Sequence, residues 1–327
     1  MQFVKSYWWV LLLMVVVIVI AIVFIPGDFR EYKREEIVHK GFQWDIPDPV
    51  RIPASPEGDL IRYGKELIAN TALYLGPKGK VAAISNGMNC QNCHLEAGTK
   101  LWGNNYSAVF STYPKFRARS GSVETIYKRV NDCLERSLNG KSLDSNSREM
   151  QAIYAYMKWL GKNVPKNVKP EAVGIADLPF TGRAADVTNG NNIYTLKCQR
   201  CHGANGEGVF NYDSTAYQYP PLWGKNSYNT GAGLFRLSRL AGYVRNNMPF
   251  DIKDSEDVVP LTDEESWDVA AFINSRPRPE KRYTMDWPDI SAKPFDHPFG
   301  PYKDSFTEQQ HKFGPFEAIV QAKKMKP

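Results

Sequence analysis

The sequence predicts an all-α protein in which two similar helical domains follow a single N-terminal transmembrane helix. Its length of 327 residues is about twice that of a typical domain. The chain carries a weak internal repeat, and a long apolar run lies near its N-terminus. Hydrophobic residues make up 43% of the chain and charged residues 23%, which is typical of a folded protein and excludes bulk disorder.

The apolar run extends from Tyr7 to Ile25 without a charged side chain. At about 1.5 Å per residue it spans about 28 Å, enough to cross the hydrocarbon core of a bilayer. A cleavable signal peptide is the alternative, but its apolar region would be shorter and would end at a small-residue cleavage site. Because Lys5 precedes the run, we expect residues 1–26 to anchor the chain in the cytoplasmic membrane in a single pass, with the domains on the periplasmic side. Residues 27–58 are expected to form a linker.

Helix signals mark the end of each half of the chain. One amphipathic helix is expected from about Ser147 to Leu160, with Gly161 as its stop. The other is expected from Thr262 to about Ser275, because the Thr-x-x-Glu spacing to Glu265 is a capping box. A third helix, over Tyr63–Leu75, should open the first half.

The formal net charge is +6, but the basic residues are spread along the chain. No block of five or six like charges stands out, so nucleic acid is not an expected partner. A basic balance of this kind also suits small anionic substrates or the neutralisation of an acidic cofactor.

Two segments share the spacing Cys-x-x-Cys-His. Two thiols three residues apart on a helical turn can each form a thioether with a porphyrin vinyl group, and the next residue then presents its imidazole to the iron. A zinc knuckle or a thioredoxin-like redox pair would not explain a histidine after both cysteine pairs. We therefore predict two covalently bound haem c groups, attached through Cys90, Cys93, Cys198 and Cys201, with His94 and His202 as iron ligands.

The fifth cysteine, Cys133, is left without a disulfide partner. A buried inert thiol is the simplest interpretation. However, when Ala155 is aligned with Ala271, Cys133 and Met248 lie 22 and 23 residues before the matched alanines. Met248 is the expected distal ligand of the second haem, since a thioether raises the reduction potential and suits electron transfer. Cys133 is then the expected distal ligand of the first haem.

Other methionines and histidines compete for these two positions. Met150 and Met157 lie on the helix that ends the first half, where a core role is the simpler interpretation. His39, His297 and His311 lie outside both halves, and we expect all three at the surface.

The two ligand sets differ in a way that indicates catalysis. A thiolate donates electron density to iron and lowers its potential, whereas a His/Met pair gives a higher potential. A plain carrier needs no thiolate, so the first haem is expected to be catalytic and the second to relay electrons. The domain limits are then a catalytic domain over 59–165, a linker over 166–181, a relay domain over 182–277 and a C-terminal tail over 278–327 that wraps back over the domains.

Basic residues cluster around Cys133. Guanidinium groups suit bidentate binding of sulfonate-like and sulfate-like oxyanions. A solvated basic face, or partners for haem propionates, is the alternative for any single member. As a group the cluster favours a small sulfur oxyanion as substrate; it consists of Lys115, Arg117, Arg119, Lys128, Arg129 and Arg136, with Ser120 and Ser137 among them.

These features resemble the dihaem thiosulfate dehydrogenases, the tetrathionate-forming cytochromes. The resemblance covers roughly residues 56 to 320, and the cysteine at position 133 followed by Arg136 and Ser137 is its distinctive part. The matching stretches are Asn89–Leu95, Ala97–Thr99 and Asn131–Ser137 in the first half, and Pro220–Gly224, Gly231–Gly233 and Asn247–Pro249 in the second, with Gly300–Tyr302 and Gln310–Phe316 in the tail.

The resemblance implies two cytochrome c-like domains and oxidation of two thiosulfate anions to tetrathionate, a reaction whose reverse is tetrathionate reduction. It also implies that Cys133 ligates the active-site iron while Arg119, Arg136 and Ser137 hold the anions. In some members a lysine precedes the distal methionine and exchanges with it on reduction. Here that residue is Asn247, so no exchange is expected. The anchor departs from the many soluble relatives and suggests a c-type cytochrome or a membrane oxidase as electron acceptor.

Three alternative functions share some of these features. A non-catalytic dihaem carrier would have methionine or histidine at both distal positions, so Cys133 argues against it. A dihaem peroxidase would use a further histidine, and no spare histidine has a suitable spacing. A sulfur-oxidation cytochrome that joins thiosulfate to a carrier protein shares the ligand set and differs only in its second substrate.

Overall fold

The computed structural model describes residues 41–250 and 260–325. The anchor predicted over residues 1–26, the first part of the linker and His39 lie outside these ranges. In the described ranges no helix is long and apolar enough to span a bilayer.

The described chain is rich in helices and contains two short β-hairpins. The helices are α1 (Pro56–Ala69), α2 (Thr71–Leu75), α3 (Leu95–Gly98), α4 (Val109–Thr112), α5 (Ile126–Arg136), α6 (Arg148–Leu160), α7 (Val187–Lys197), α8 (Gln199–His202), α9 (Leu237–Asn247), α10 (Asp263–Ser275), α11 (Glu308–Phe313) and α12 (Glu317–Met325). Short 3₁₀ turns lie at Pro49–Arg51, Cys90–Asn92, Gly233–Phe235 and Ile290–Ala292. The antiparallel strand pairs are β1 (Lys115–Arg117) with β2 (Ser122–Glu124) and β3 (Val209–Phe210) with β4 (Tyr217–Tyr219).

The hairpins differ from the all-α expectation, but they leave the helical architecture intact. In the first hairpin β1 and β2 pair in register, with Lys115 opposite Glu124. The turn includes Gly121, which has a φ of +62° and so occupies a conformation that glycine adopts without strain. This hairpin carries the start of the basic cluster.

Local capping chemistry explains where the main helices begin. Ser147 caps α6 by accepting from the backbone of Met150, and Thr262 forms with Glu265 the capping box expected for α10. Both helices thus start and end as predicted, to within a residue. The helix expected over Tyr63–Leu75 differs, because Ser55 caps α1 ahead of Pro56 and the helix is interrupted at Asn70.

The two domains repeat one helix crossing. In the first domain α1 packs on α6, and in the second α7 packs on α10. A Cβ added at Gly64 would lie 2.0 Å from the carbonyl oxygen of Ala152, and one at Gly190 would lie 2.0 Å from that of Asp268. Backbones this close exclude any side chain, so glycine is required at both crossings. The repeat seen in the sequence therefore corresponds to a shared packing geometry.

Each crossing closes its own apolar core. Leu67, Met150 and Tyr156 are fully or almost fully buried in the first core. In the second core Tyr194 and Phe272 pack together, with Phe316 and Ile319 of the tail beside them. The tail is thus an integral part of the second core.

The tail also buries His311, which was expected at the surface. Its side chain is 2% exposed, and its ring stacks on Tyr302 with centroids 3.7 Å apart. Its Nε2 lies 3.0 Å from the Asp304 carboxylate, and its Nδ1 lies 2.7 Å from the carbonyl oxygen of Phe295. The surface expectation is wrong for His311 because nothing in its local spacing shows that the tail folds onto itself.

The second crossing leads to a stability prediction. The Gly190→Ala variant should lower the free energy of unfolding by about 1–3 kcal/mol, because its methyl group would overlap the Asp268 carbonyl. Helix propensity alone predicts the opposite sign, since alanine is favoured by about 1 kcal/mol in a helix interior. Denaturant unfolding of the purified holoprotein measures the difference. Gly233→Ala is the control, because its new Cβ would meet no atom within 4 Å. A Gly190→Ala variant as stable as the wild type would contradict the assigned crossing.

Candidate functional site

A cavity of about 140 Å³ opens in the first domain beside the first Cys-x-x-Cys-His motif. Cys90, Cys93 and His94 line it together with Cys133, and aliphatic and aromatic side chains from several helices and the loops between them form most of the remaining wall. Both thiols of the motif, its imidazole and the fifth cysteine thus face one apolar space, which fits a haem held by two thioethers.

The proximal histidines are held in the same way in both domains. His94 Nδ1 donates to the carbonyl oxygen of Asn104 at 2.6 Å, and His202 Nδ1 donates to that of Pro220 at 2.8 Å. These bonds leave Nε2 as the iron-binding nitrogen in each ring. Burial lowers the pKa of His94 to about 4, and burial also lowers the pKa of His202. Both imidazoles are therefore neutral, as a metal ligand must be.

Cys133 lies on α5 next to a guanidinium group. Arg129, one helical turn earlier, donates from Nη1 to the Cys133 sulfur at 3.1 Å and lines the same cavity. The Coulombic interaction with the Cys133 sulfur is the main reason that the pKa of Arg129 is raised. A charge-assisted hydrogen bond of this kind stabilises an anionic sulfur in an apolar setting. Arg129 belongs to the basic cluster seen in the sequence, and its i,i+4 spacing from Cys133 was the signal that could have singled it out.

Two of the four residues predicted to be catalytic meet at this cavity. Ser137 lines the wall one turn after Cys133, and its backbone N–H donates to the carbonyl oxygen of Cys133 at 2.8 Å. Among the described residues Arg119 and Arg136 are not part of the cavity wall. The structure thus groups Cys133 and Ser137 with Arg129.

Arg136 forms an ion pair outside this cavity. Its two terminal nitrogens donate to the carboxylate of Asp286 at 2.7 and 2.8 Å, and its side chain is 6% exposed. Asp286 follows Arg136 by 150 positions, so the sequence spacing carried no sign of this ion pair.

Arg119 lines a second, small cavity of about 30 Å³, together with Trp287 and His297. Burial, together with the charges of Arg136 and Arg129, lowers the pKa of Arg119 to about 10. Arg119 is therefore close enough to Arg129 for their charges to interact, although it lines a different cavity.

One competing ligand also faces the first cavity. Met157 lies in its wall, whereas Met150 is fully buried in the core. Cys133 differs from Met157 in having a cation on its sulfur. Cys133 as distal ligand stays a prediction that this contact favours.

In the second domain Met248 lies directly after the last residue of α9. It packs with Cys198 against the second apolar core. The preceding residue, Asn247, is 3% exposed and donates from Nδ2 to the carbonyl oxygens of Trp102 and Tyr243, at 3.1 and 2.9 Å. The segment that carries Met248 is therefore tied to the first domain.

A second contact joins α9 to the first haem motif. The Tyr243 hydroxyl donates to the carbonyl oxygen of Asn92 at 2.9 Å, and Asn92 lies between the two cysteines of that motif. Burial raises the pKa of Tyr243 well above its usual value, so the hydroxyl keeps its proton and stays a donor. Two hydrogen bonds from one helix thus connect the second domain to the region of the first haem motif.

Comparisons with known proteins agree with this two-site arrangement. A family model described as "SoxA/TsdA, cytochrome c domain" matches residues 80–165, and one described as "Cytochrome c" matches residues 187–277. Two cytochrome c domains imply two covalently bound haem c groups, which confirms the cofactor prediction.

Curated relatives and a solved structure show the same similarity. The chain is 37% identical over 248 residues to a thiosulfate dehydrogenase of Psychrobacter arcticus, a match that covers 76% of this chain and 72% of the relative. It is 35% identical over 238 residues to one of Allochromatium vinosum, covering 72% and 84%. The solved structure of thiosulfate dehydrogenase (TsdBA) from Marichromatium purpuratum matches with a TM-score of 0.66 and 30% identity over 72% of this chain. That match covers 50% of the other chain, so this chain spans half its length.

Proposed function

The chain belongs to the thiosulfate dehydrogenase family of oxidoreductases, and we propose that it oxidises thiosulfate to tetrathionate at the cavity beside Cys133. The observation that carries this proposal is the contact between Arg129 and the Cys133 sulfur in a cavity that the first haem motif also lines. A plain electron carrier has no need of a cysteine sulfur paired with a guanidinium group in this cavity.

The proposed reaction sets an electrostatic requirement. The new sulfur–sulfur bond forms between the outer sulfurs of two thiosulfate anions, two electrons leave, and no proton is exchanged. Two dianions in one cavity repel each other strongly, so the protein must supply positive charge and hydrogen-bond donors. Arg129 supplies the charge and the Ser137 hydroxyl supplies a donor on the same wall. Arg119 lines the separate second cavity and adds positive charge at longer range.

In this proposal the two domains have different redox roles. When bound, the haem groups supply two one-electron acceptors, of which the one beside Cys133 has the lower potential and the one beside Met248 the higher. The contribution of the chain is to fix both sites through Tyr243 and Asn247. We propose that electrons leave from the second domain to a c-type cytochrome or to a membrane oxidase. The reverse reaction, tetrathionate reduction, would use the same residues.

A sulfur-oxidation cytochrome that joins thiosulfate to a carrier protein is the second candidate. The family model that matches residues 80–165 names both kinds of protein, so the first domain alone does not separate them. The curated relatives matched over about three quarters of the chain are thiosulfate dehydrogenases. This favours tetrathionate, rather than a carrier protein joined to thiosulfate, as the product. Formation of tetrathionate from thiosulfate by the purified protein, with an artificial electron acceptor and no carrier protein, distinguishes the two.

Replacement of Cys133 tests the proposed function. Cys133→Met keeps a sulfur and an apolar side chain but removes the anionic sulfur next to Arg129. We expect thiosulfate oxidation to be lost while both haem groups stay attached, as measured by turnover and by haem content per chain. Met157→Leu is the matched control, because it alters another side chain of the same cavity and should retain turnover. Near-normal oxidation in Cys133→Met would overturn the proposal.

Replacement of Arg129 tests its role at the sulfur. A hydrogen bond to a charged group contributes roughly 1.5–3 kcal/mol, so Arg129→Gln should lower kcat/KM for thiosulfate by roughly 10- to 150-fold. Arg129→Lys keeps the charge and should lose less. Lys128→Gln removes the same charge from the adjacent, half-exposed residue, and we expect little change. Equal effects at positions 128 and 129 would indicate that only the overall charge of the helix matters.

We also propose that residues 1–26 anchor the enzyme in the cytoplasmic membrane, with both haem domains on the periplasmic side. The uncharged run from Tyr7 to Ile25 supports this. The full-length chain should stay in the membrane fraction after a high-salt wash, and a chain with residues 1–26 replaced by a cleavable signal peptide should be released. A mature protein that lacks residues 1–26 and is recovered in the soluble fraction would contradict the anchor.

A further inference from the structure

A short segment of the tail returns to the first domain and contacts the end of the helix that carries Cys133. We call residues 283–287 the tail clamp. The Asp286 carboxylate accepts two hydrogen bonds from Arg136, at 2.7 and 2.8 Å. The ring of Tyr283 lies against the same guanidinium group, 3.6 Å from its central carbon. The last residue of α5 is thus held by both charge and stacking.

The clamp also satisfies backbone groups at this helix end. The last carbonyl groups of a helix have no partner within the helix. The carbonyl oxygen of Glu135 accepts from the Tyr283 hydroxyl at 3.2 Å and from Asn229 Nδ2 at 2.8 Å. At the other end of the clamp, the Trp287 backbone N–H donates to the carbonyl oxygen of Arg119 at 2.6 Å. The clamp therefore contacts both chain segments that contribute arginines near the site.

The burial of Arg136 shows that this contact is needed. Its side chain is 6% exposed and that of Asp286 is 21% exposed. Its Nε has no hydrogen-bond partner among the described residues and lies 3.9 Å from the Asp132 carboxylate. A buried guanidinium without a bidentate partner would be strongly destabilising, so loss of Asp286 should displace Arg136 and the helix end with it.

We infer that Asp286 and Arg136 are positioning residues, which act through α5 to hold Cys133 and Arg129 in register with the cavity. Arg136 follows Cys133 by three residues on one continuous helix, so a shift of the helix end moves the sulfur. This inference rests on the proposed function, and it gives Arg136 a different role from the anion ligand that the sequence suggested. The two roles predict opposite effects of one substitution.

Asp286→Asn in the full-length holoprotein is the decisive variant. It keeps the shape of the side chain and removes its charge. If Arg136 positions α5, kcat/KM for thiosulfate should fall by roughly 10- to 100-fold, as for other supporting contacts of metal sites. The ferric low-spin spectrum of the first haem should then also become heterogeneous, and Asp286→Glu should restore both in part. If Arg136 binds the anion, freeing its guanidinium should instead lower KM and leave the spectrum unchanged, which would overturn the inference.

A matched ion pair in the second domain provides the control. Arg183 donates to both carboxylate oxygens of Asp268, at 2.8 and 2.9 Å. Arg183→Gln should reduce thermal stability without changing KM or the spectrum of the first haem. If Asp286→Asn does not accumulate, Arg136→Lys, which keeps the charge but loses the bidentate pair, separates the two roles by the spectrum of the first haem. A positioning role predicts a heterogeneous spectrum and a lower kcat/KM, whereas an anion-binding role predicts a raised KM with the spectrum unchanged. Absence of thiosulfate turnover in the wild type would refute the proposed function, whereas the spectrum of the Asp286 variants would still decide the present inference.

Discussion

A cysteine sulfur that accepts a hydrogen bond from a guanidinium group inside a mostly apolar cavity is the interaction on which the first domain depends. A thiolate buried there without a partner would be costly, so a catalytic thiolate at this position needs a cation within hydrogen-bond distance of it. Arg129 meets this need from the same helix, because residues four apart share one helix face. Cys133 and Arg129 both face the cavity only if α5 keeps a fixed rotation about its axis and a fixed position along it. Fixing the end of α5 is therefore part of maintaining the site.

The second domain has the same framework without this constraint. Gly64 and Gly190 allow the same close helix crossing, and His94 and His202 are both fixed by a backbone carbonyl. Four residues before Met248, however, stands Val244, which is buried in the second core. A neutral thioether requires no counter-charge, so an apolar residue is suitable there. The difference between the proposed catalytic and relay sites thus comes down to the charge on one ligand and the group that neutralises it.

Features set by neighbouring residues could be predicted from the sequence, whereas contacts between distant segments could not. The motif spacing predicts the two proximal histidines, and the residue types at Ser147 and Thr262 predict two helix starts, because capping is a local interaction. The pairing of Arg136 with Asp286 joins residues 150 positions apart and leaves no local signal. The same reason explains why Arg136 looked like a free anion ligand. The contact between Arg129 and Cys133 could have been predicted from the sequence, since residues four apart on a helix lie side by side.

The contacts between the domains bear on how electrons could pass from one site to the other. Asn247 uses its side-chain amide to join the backbone of α9 to Trp102 in the first domain, and Tyr243 on the same helix reaches the first haem motif. A lysine at position 247 could replace Met248 at the iron, but an asparagine cannot, because its amide is short, neutral and already hydrogen-bonded. Under the proposed function, the second site would then keep its ligand in both oxidation states. The amide that would exclude ligand exchange also makes one of the hydrogen bonds between the domains, beside those of Tyr243 and Asn229. A fixed ligand and a contact between the domains therefore share one residue.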